Sequence, residues 1–344
     1  MSDGASERVW YGASASAGAA RVALAPFAAL FGAAAALRGA LYDAGFLHAH
    51  RATIPVVSIG NLTVGGTGKT PFAAWFAAEL AARGAHPAIV MRGFGDDEPL
   101  VHQRLSPAVP VIVDPDRVAG VARAAAGGAD IAVLDDAFQH RRAARDADIV
   151  LVSADRWPDR ARLLPAGPFR ERPAALRRAT LAVVTAKAAT ADQVARVRAA
   201  ITAAAPAVPQ AVVRLALGDL RGGAGGEEIR PLGSLRDVPV LGISAVGDPA
   251  AFGAQLAAAG ARVSLRSFDD HHAFTAEDAR SLAASLFAAM TPVCTLKDYV
   301  KLAPLWPRQA PALWYVSQRS AVEEGRAALD ALILSLLRAR TAHP

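Results

Sequence analysis

The chain has 344 residues, 53% of them hydrophobic, and carries 37 Lys and Arg against 31 Asp and Glu, a formal charge of +6. That length supplies about two domains, and the basic balance favours phosphate-bearing partners such as an anionic membrane surface. The single Cys294 excludes an internal disulfide and a cysteine-based zinc site, and aromatics at 6%, not interleaved with the basic clusters, argue against a nucleic-acid stacking platform.

In chain order, the first element is the uncharged run VALAPFAALFGAAAAL between Arg21 and Arg38. As a helix it reaches about 24 Å, short of the roughly 30 Å of a bilayer core. The expectation is an N-terminal segment, residues 1–50, whose helix lies in or dips into the membrane interface, with Trp10, Tyr11, Arg21 and Arg38 near the headgroups. The plainer alternative is an Ala-rich helix packed on the protein itself.

Apolar runs then alternate with Ala-rich helical stretches, the pattern of a mostly parallel α/β sheet flanked by helices. The runs are Ile54–Ile59, Pro87–Met91, Ile131–Leu134, Ile149–Ser153 and Leu181–Thr185. Pro206 and Pro209 punctuate the chain before a second set, Ala211–Leu215, Val238–Ile243, Val263–Phe268 and Val293–Leu296. This predicts a P-loop NTPase-like domain over residues 51–207 and a smaller α/β domain over 208–344. The Gly-rich stretch Arg221–Glu228 reads as an exposed loop.

The first strand runs into Thr63, Val64, Gly65, Gly66, Thr67, Gly68, Lys69 and Thr70, followed by a helix starting near Pro71. Strand, glycine-rich turn and helix are the context a phosphate loop requires: backbone N–H groups and the helix's positive end surround phosphate oxygens. Lys69 reaches the transferred phosphate and the Thr70 hydroxyl is a magnesium ligand. Thr63 stands where the eight-residue pattern asks for glycine, so the loop is a variant. A second strand ends in Asp135 and Asp136, either of which suits magnesium. Gln139 and His140 follow on the same loop, and Arg117 in a Pro-Asp-Arg motif is a candidate clamp for phosphate charge. Seven arginines between Arg156 and Arg178, mixed with Leu163, Leu164 and Phe169, suit lipid headgroups and acyl chains together.

The ordered strings GNLTVGGTGKTP, RGFGDDEP, PDR, LDDAFQH, RLLPAGPFRE, FDDHHAFT and TLKDYVKL resemble the lipid A tetraacyldisaccharide 4'-kinase family. The resemblance spans about Ile54 to Leu302. It implies ATP-dependent, magnesium-assisted phosphorylation of the 4' hydroxyl of a tetraacylated glucosamine disaccharide 1-phosphate at the cytoplasmic face of the bacterial inner membrane. It further implies that Asp97 is the catalytic base, that Glu98 supports the metal, and that His271 pairs with Asp97 from the other domain on closure. Two positions depart from the family pattern: Leu296 stands where Glu is usual, and Ala137 where Gly often follows the two aspartates. The rival reading is a P-loop ATPase or GTPase switch of the partitioning or metal-insertion type. The residue before the Gly-Gly pair is Val64 rather than that ATPase group's lysine, and Thr185-Ala186-Lys187 is no guanine motif.

Overall fold

The computed structural model describes residues 3–342 except 94–96, 159, 224–227, 248, 270–271 and 288–289. The chain packs as two compact units, the first comprising residues 1–94, 102–215 and 320–344 and the second residues 95–101 and 216–319. The expected boundary near Pro206 and Pro209 thus precedes the 215/216 division by a few residues. Two segments depart from a simple split: 95–101, which carries Asp97, groups with the second unit, and the C-terminal 320–344 returns to the first.

The first unit opens with helices α1 (Asp3–Tyr11) and α2 (Ala15–Asp43). There follow β1 (Val56–Asn61), α3 (Lys69–Ala82), β2 (Pro87–Met91), α4 (Asp97–Leu105), β3 (Val111–Val113), α5 (Arg117–Ala126), β4 (Ile131–Asp135), β5 (Ala147–Ser153), β6 (Leu181–Ala186), α6 (Ala191–Ala204) and β7 (Gln210–Gly222). Helix α4 and strand β7 cross the division between units. The strand order is β3-β2-β4-β1-β5-β6-β7, with every one of these pairs parallel. Parallel strands covered on both faces read as continuous apolar runs, which is why the sequence shows VVSI, PAIVM, IAVL and LAVV rather than alternation.

On one face of that sheet, Phe72, Phe76 and Leu80 of α3 pack with Val57, Ile59, Ile131, Val133 and Ile149 and with Leu329, Ile333 and Leu336 of the C-terminal helix. Each of these large side chains contributes about 1.5–3 kcal/mol by leaving water. The other face is closed by Val194, Val197 and Ile201 of α6 against Val150, Val152, Ala182 and Val184, with Phe138, Phe169 and Leu176 in the same cluster. Val121 and Ala124 of α5 pack against Val90 and Leu134.

The second unit holds β8 (Glu228–Arg230), β9 (Pro239–Ser244), α7 (Pro249–Ala258), β10 (Arg262–Ser267), α8 (Ala276–Ala284), β11 (Thr291–Thr295), α9 (Leu296–Leu302) and the first part of β12 (Trp314–Glu324); α10 (Arg326–Ala342) closes the chain. Strands β10, β9, β11 and β12 run parallel in that order, and β8 lies antiparallel on β7. The Gly-rich stretch expected as an exposed loop lies in strand at both ends: β7 runs through Gly222 and β8 begins at Glu228, while residues 224–227 lie outside the described ones. Strands β3, β8 and β12 were not among the expected runs. The first two are three residues long, and β12 turns polar after Val316, so none presents a sustained apolar pattern.

Helix α2 differs from the expected short interfacial helix. It runs for 29 residues, straight through Pro26, Arg21 and Arg38, and reaches about 43 Å at 1.5 Å per residue, long and apolar enough to cross a bilayer. The sequence estimate stopped at the two arginines. In the folded chain their charges are met by carbonyl oxygens: Arg21 Nη1 donates to Val9 O and Gly12 O at 2.8 Å each, and Arg38 Nη1 donates to Gln139 O at 2.8 Å. Trp10, expected among headgroups, donates its Nε1–H to Pro165 O at 2.9 Å. Val22, Phe27, Leu30 and Leu37 stand exposed on α2, while Ala17 and Ala28 are buried.

Candidate active site

The loop after β1 and the carboxylates after β4 meet because β1 and β4 are neighbouring parallel strands, with Ile59 in register with Asp135. Both emerge at the carboxyl end of the sheet, where α/β folds bind their ligands. The helix after the loop starts at Lys69, with Gly68 as N-cap in the left-handed conformation at φ 83°. Gly65 is likewise left-handed at φ 109°. These are the two positions where the turn requires glycine.

Thr63, the departure from the pattern, has a structural reason. It forms an antiparallel bridge with Phe169, Val64 N donates to Pro168 O at 2.8 Å, and Arg170 N donates to Leu62 O at 2.7 Å. The loop entrance is thus stitched to residues 168–170 by an isolated bridge and flanking backbone bonds, where a side chain is tolerated. Inside the loop, Thr67 is buried: its hydroxyl accepts from Asn61 Nδ2 at 3.0 Å and its carbonyl accepts from Thr185 Oγ1 at 2.8 Å. Gln139 Nε2 donates to Asn61 O at 2.9 Å, tying the segment after β4 to the end of β1.

The two adjacent aspartates have different surroundings. Asp135 is 5% exposed; its Oδ2 accepts from His102 Nε2 at 2.8 Å, and its buried Oδ1 has no hydrogen-bond partner. Asp136 sits in the left-handed region at φ 50°, a conformation Asp tolerates at some cost, and faces Lys69 Nζ at 3.7 Å and Arg170 Nη1 at 2.8 Å. Burial pushes the Asp136 carboxyl up, but Lys69, Arg170 and Arg117 outweigh it and hold it below its ordinary value. Burial also lowers the His140 imidazole, with Arg117 and Arg38 acting in the same direction, so the neutral ring is favoured.

Arg117, expected to clamp phosphate, is buried and uses its guanidinium on backbone carbonyls, Nη1 on Asp114 O at 3.0 Å and Nη2 on Asp135 O at 3.4 Å. Its bonds hold the β4 terminus. Burial lowers its proton affinity, opposed by Asp135 and Asp136. Among the described residues no group of three or more His, Cys, Asp or Glu forms a ready metal cage. The oxygen donors that could hold a magnesium ion are the buried carboxylate oxygen of Asp135 without a partner and the Thr70 hydroxyl on the first turn of α3.

The second unit holds the other expected residues. Asp97 is 6% exposed on the first turn of α4, beside half-buried Glu98. Lys301 Nζ lies 3.9 Å from Asp97 Oδ2 and 3.7 Å from Asp298 Oδ1, and donates to His272 O at 3.0 Å. Asp298 is fully buried, its Oδ2 accepting from Ala245 N at 3.0 Å and Thr295 Oγ1 at 2.7 Å; burial raises its carboxyl above the ordinary value against those bonds and Lys301. His271 lies outside the described residues. Leu296, where the family pattern has Glu, packs into the interior.

Sequence reasoning assigned no role to His102, Asn61, Thr185, Asp298 or Lys301. The last two stand in the quoted string TLKDYVKL, a signal that was present without a partner to explain it. His102 had none beyond lying five residues after Asp97 on one helix.

A parallel sheet with a glycine-rich turn after one strand and a carboxylate at the end of its neighbour is the arrangement of the P-loop nucleotide-binding class, kinases and switch ATPases alike. Residues 20–338 match the family described as Tetraacyldisaccharide-1-P 4'-kinase. A tetraacyldisaccharide 4'-kinase from an Anaeromyxobacter species is 42% identical over 332 residues, covering 87% of each chain, and one from Halorhodospira halophila is 38% identical over 315 residues, covering 86% of this chain and 87% of that one. The crystal structure of LpxK from Aquifex aeolicus in complex with ATP is 27% identical and superposes with a TM-score of 0.71, covering 92% of this chain and 99% of that one. The chain belongs to the tetraacyldisaccharide 4'-kinase family, and it is an enzyme of the kinase class.

Proposed function

We propose that this kinase moves the γ-phosphoryl group of ATP onto the 4' hydroxyl of a tetraacylated glucosamine disaccharide 1-phosphate, working at the cytoplasmic face of the bacterial inner membrane. The observation that carries this reading is the loop Thr63–Thr70 with the unpartnered carboxylate oxygen of Asp135 on the adjacent strand, in a chain of this family. The ATP bound to the Aquifex aeolicus relative supports the choice of nucleotide.

In this reading the loop's N–H groups and Lys69 take the triphosphate, replacing the pairing that Lys69 makes with Asp136. Thr70 and Asp135, with Asp136 in support, would hold magnesium, and Glu98 is assigned to the metal by resemblance to the family alone. The ion supplies charge neutralisation on the phosphate oxygens when bound. Asp97 accepts the proton of the 4' hydroxyl while that oxygen bonds to the γ-phosphorus and the bond to the ADP oxygen breaks, leaving a phosphate monoester and ADP. His271 pairs with Asp97 by resemblance to the family. Gln139 and Arg117 act by holding the loop and the β4 terminus in shape.

The acceptor's lipid character fits the first unit. Exposed Val22, Phe27, Leu30 and Leu37 give α2 an apolar face for the membrane. A trough of about 910 Å³ runs between α2 and residues 161–174, floored by Ala25, Ala28 and Leu163 and flanked by Arg162 and Arg172, chemistry suited to acyl chains beside a phosphate. Incubation with labelled ATP, magnesium and the disaccharide lipid tests the reaction: label on the lipid is expected, and label released solely as free phosphate would favour the switch-type ATPase. Removal of residues 1–43 is expected to move the protein from membranes to the soluble fraction. Unchanged sedimentation contradicts the membrane assignment.

A further inference from the structure

Three sequence motifs meet at one ammonium in the second unit. Lys301 is the second lysine of the string TLKDYVKL, Asp97 opens Asp-Glu-Pro, and His272 ends the Asp-Asp-His-His stretch; the Lys301 side chain, 16% exposed, faces one group from each of the other two and Asp298 from its own helix. Its bond to His272 O is a full hydrogen bond at 3.0 Å. The carboxylates at 3.9 and 3.7 Å are ion-pair partners beyond hydrogen-bond length. The Phe274 ring lies 5.4 Å from the ammonium, adding its π face to the enclosure.

Asp298 is built to hold this lysine. The Thr295 hydroxyl caps α9 by accepting from Asp298 N at 3.2 Å, and Asp298 Oδ2 is saturated by Ala245 N and Thr295 Oγ1. Its remaining buried oxygen, Oδ1, has no hydrogen-bond partner and faces Lys301. Lys301 is thereby anchored on one side by a rigid carboxylate and on another by a backbone carbonyl. Asp97 Oδ2 is likewise buried without a hydrogen bond, with the same ammonium as its ion-pair partner. A buried carboxylate needs such a counter-charge to remain where it is.

We propose that Lys301 is a positioning residue for the phosphoryl-transfer reaction: anchored by Asp298 and His272 O, its ammonium holds the Asp97 carboxylate in the orientation from which it takes the acceptor's proton. The inference rests on the reading of Asp97 as the base. It accounts for why the lysine and aspartate of TLKDYVKL accompany the Asp-Glu-Pro motif, and for why Leu296 at the departed position leaves the cluster intact: Leu296 takes no part in it.

The test is a double-mutant cycle on the full-length protein, reading kcat and the KM for ATP, with thermal melts and nucleotide binding as folding checks. Asp97→Asn alone is expected to lower kcat by about 10²–10⁴-fold, the range of a lost general base. Lys301→Met is expected to lower kcat by about 10-fold or more with the KM for ATP unchanged, and to add no further loss in the Asp97→Asn background, since coupled residues are not additive. Lys301→Arg, which keeps the charge and is the variant to rely on if Lys301→Met does not fold, is expected to recover most of the rate. Near-normal kcat in Asp97→Asn would overturn the base reading. A full loss in Asp97→Asn with wild-type kcat in Lys301→Met, an additive double mutant, or Lys301→Arg folded but as impaired as the neutral variant would overturn the positioning role alone.

Discussion

The phosphate loop in the first unit and the Asp97–Lys301–Asp298 cluster in the second handle charge in opposite ways. At the loop, Lys69 and Arg170 converge on one carboxylate, Asp136, whose side chain is 38% exposed and whose backbone is left-handed. In the cluster, Lys301 faces two carboxylates, both nearly or fully buried, and Lys297 adds positive charge near Asp298. Basic groups at an open strand end suit a polyanion that enters and leaves, whereas a buried carboxylate facing an anchored ammonium suits a group held in one orientation. In the reading proposed above, nucleotide affinity falls to the first region and proton transfer to the second.

The largest expected effect probes that assignment directly. Lys69→Ala should lower turnover by about 10²–10³-fold, the cost of one lost transition-state donor, and also weaken ATP binding. Asp97→Asn should lose turnover with ATP binding intact. Steady-state kinetics with a direct nucleotide-binding measurement separate the two, and equal loss of affinity in both variants would break the comparison.

A middle-sized effect concerns the loop's shape. Gly68 has φ of 83° and a Cβ there would collide with Leu215 Cδ1. Gly68→Ala should cost about 1–3 kcal/mol in urea unfolding, with nucleotide affinity reduced. A partial return of stability in Gly68→Ala with Leu215→Ala would identify the collision as part of the cost.

The smallest effect is in the acid titration of stability. The Asp136 carboxyl is held below its ordinary value of 3.8, so its contribution is present above that pH and is lost as pH falls through the folded value. Burial raises Asp298 above 3.8, so its contribution is present below that pH and is lost as pH rises through the folded value. Melting curves from about pH 3 to about pH 6 should show Asp136→Asn flattening the acid-side decline, and Asp298→Asn removing a decline that runs the other way. The same sign in both variants would mean the two regions do not differ as described.

Much of the site was legible because its chemistry is local. The loop from Thr63 to Thr70 follows directly on β1, and Asp135 and Asp136 on β4, so strand periodicity and turn chemistry located both. The motif around Asp97 took its role from the family resemblance, and TLKDYVKL was visible as a string without a physical purpose. His102 and Lys301 escaped, since each acts on a residue more than thirty positions away in sequence, and no spacing rule reports such a pair.

The sequence by itself determined the parallel α/β class, the phosphate loop, the paired aspartates and the family, because apolar runs, glycine turns and ordered motifs are properties of contiguous residues. The tertiary structure alone decided that Thr63 is tolerated by a bridge to Phe169, that Asp135 rather than Asp136 keeps a buried oxygen unbonded, that Arg21 and Arg38 do not end α2, and that one lysine joins three motifs. The reason is physical: burial and charge pairing depend on which strands and helices fold together, and that information is carried by no single stretch of the chain.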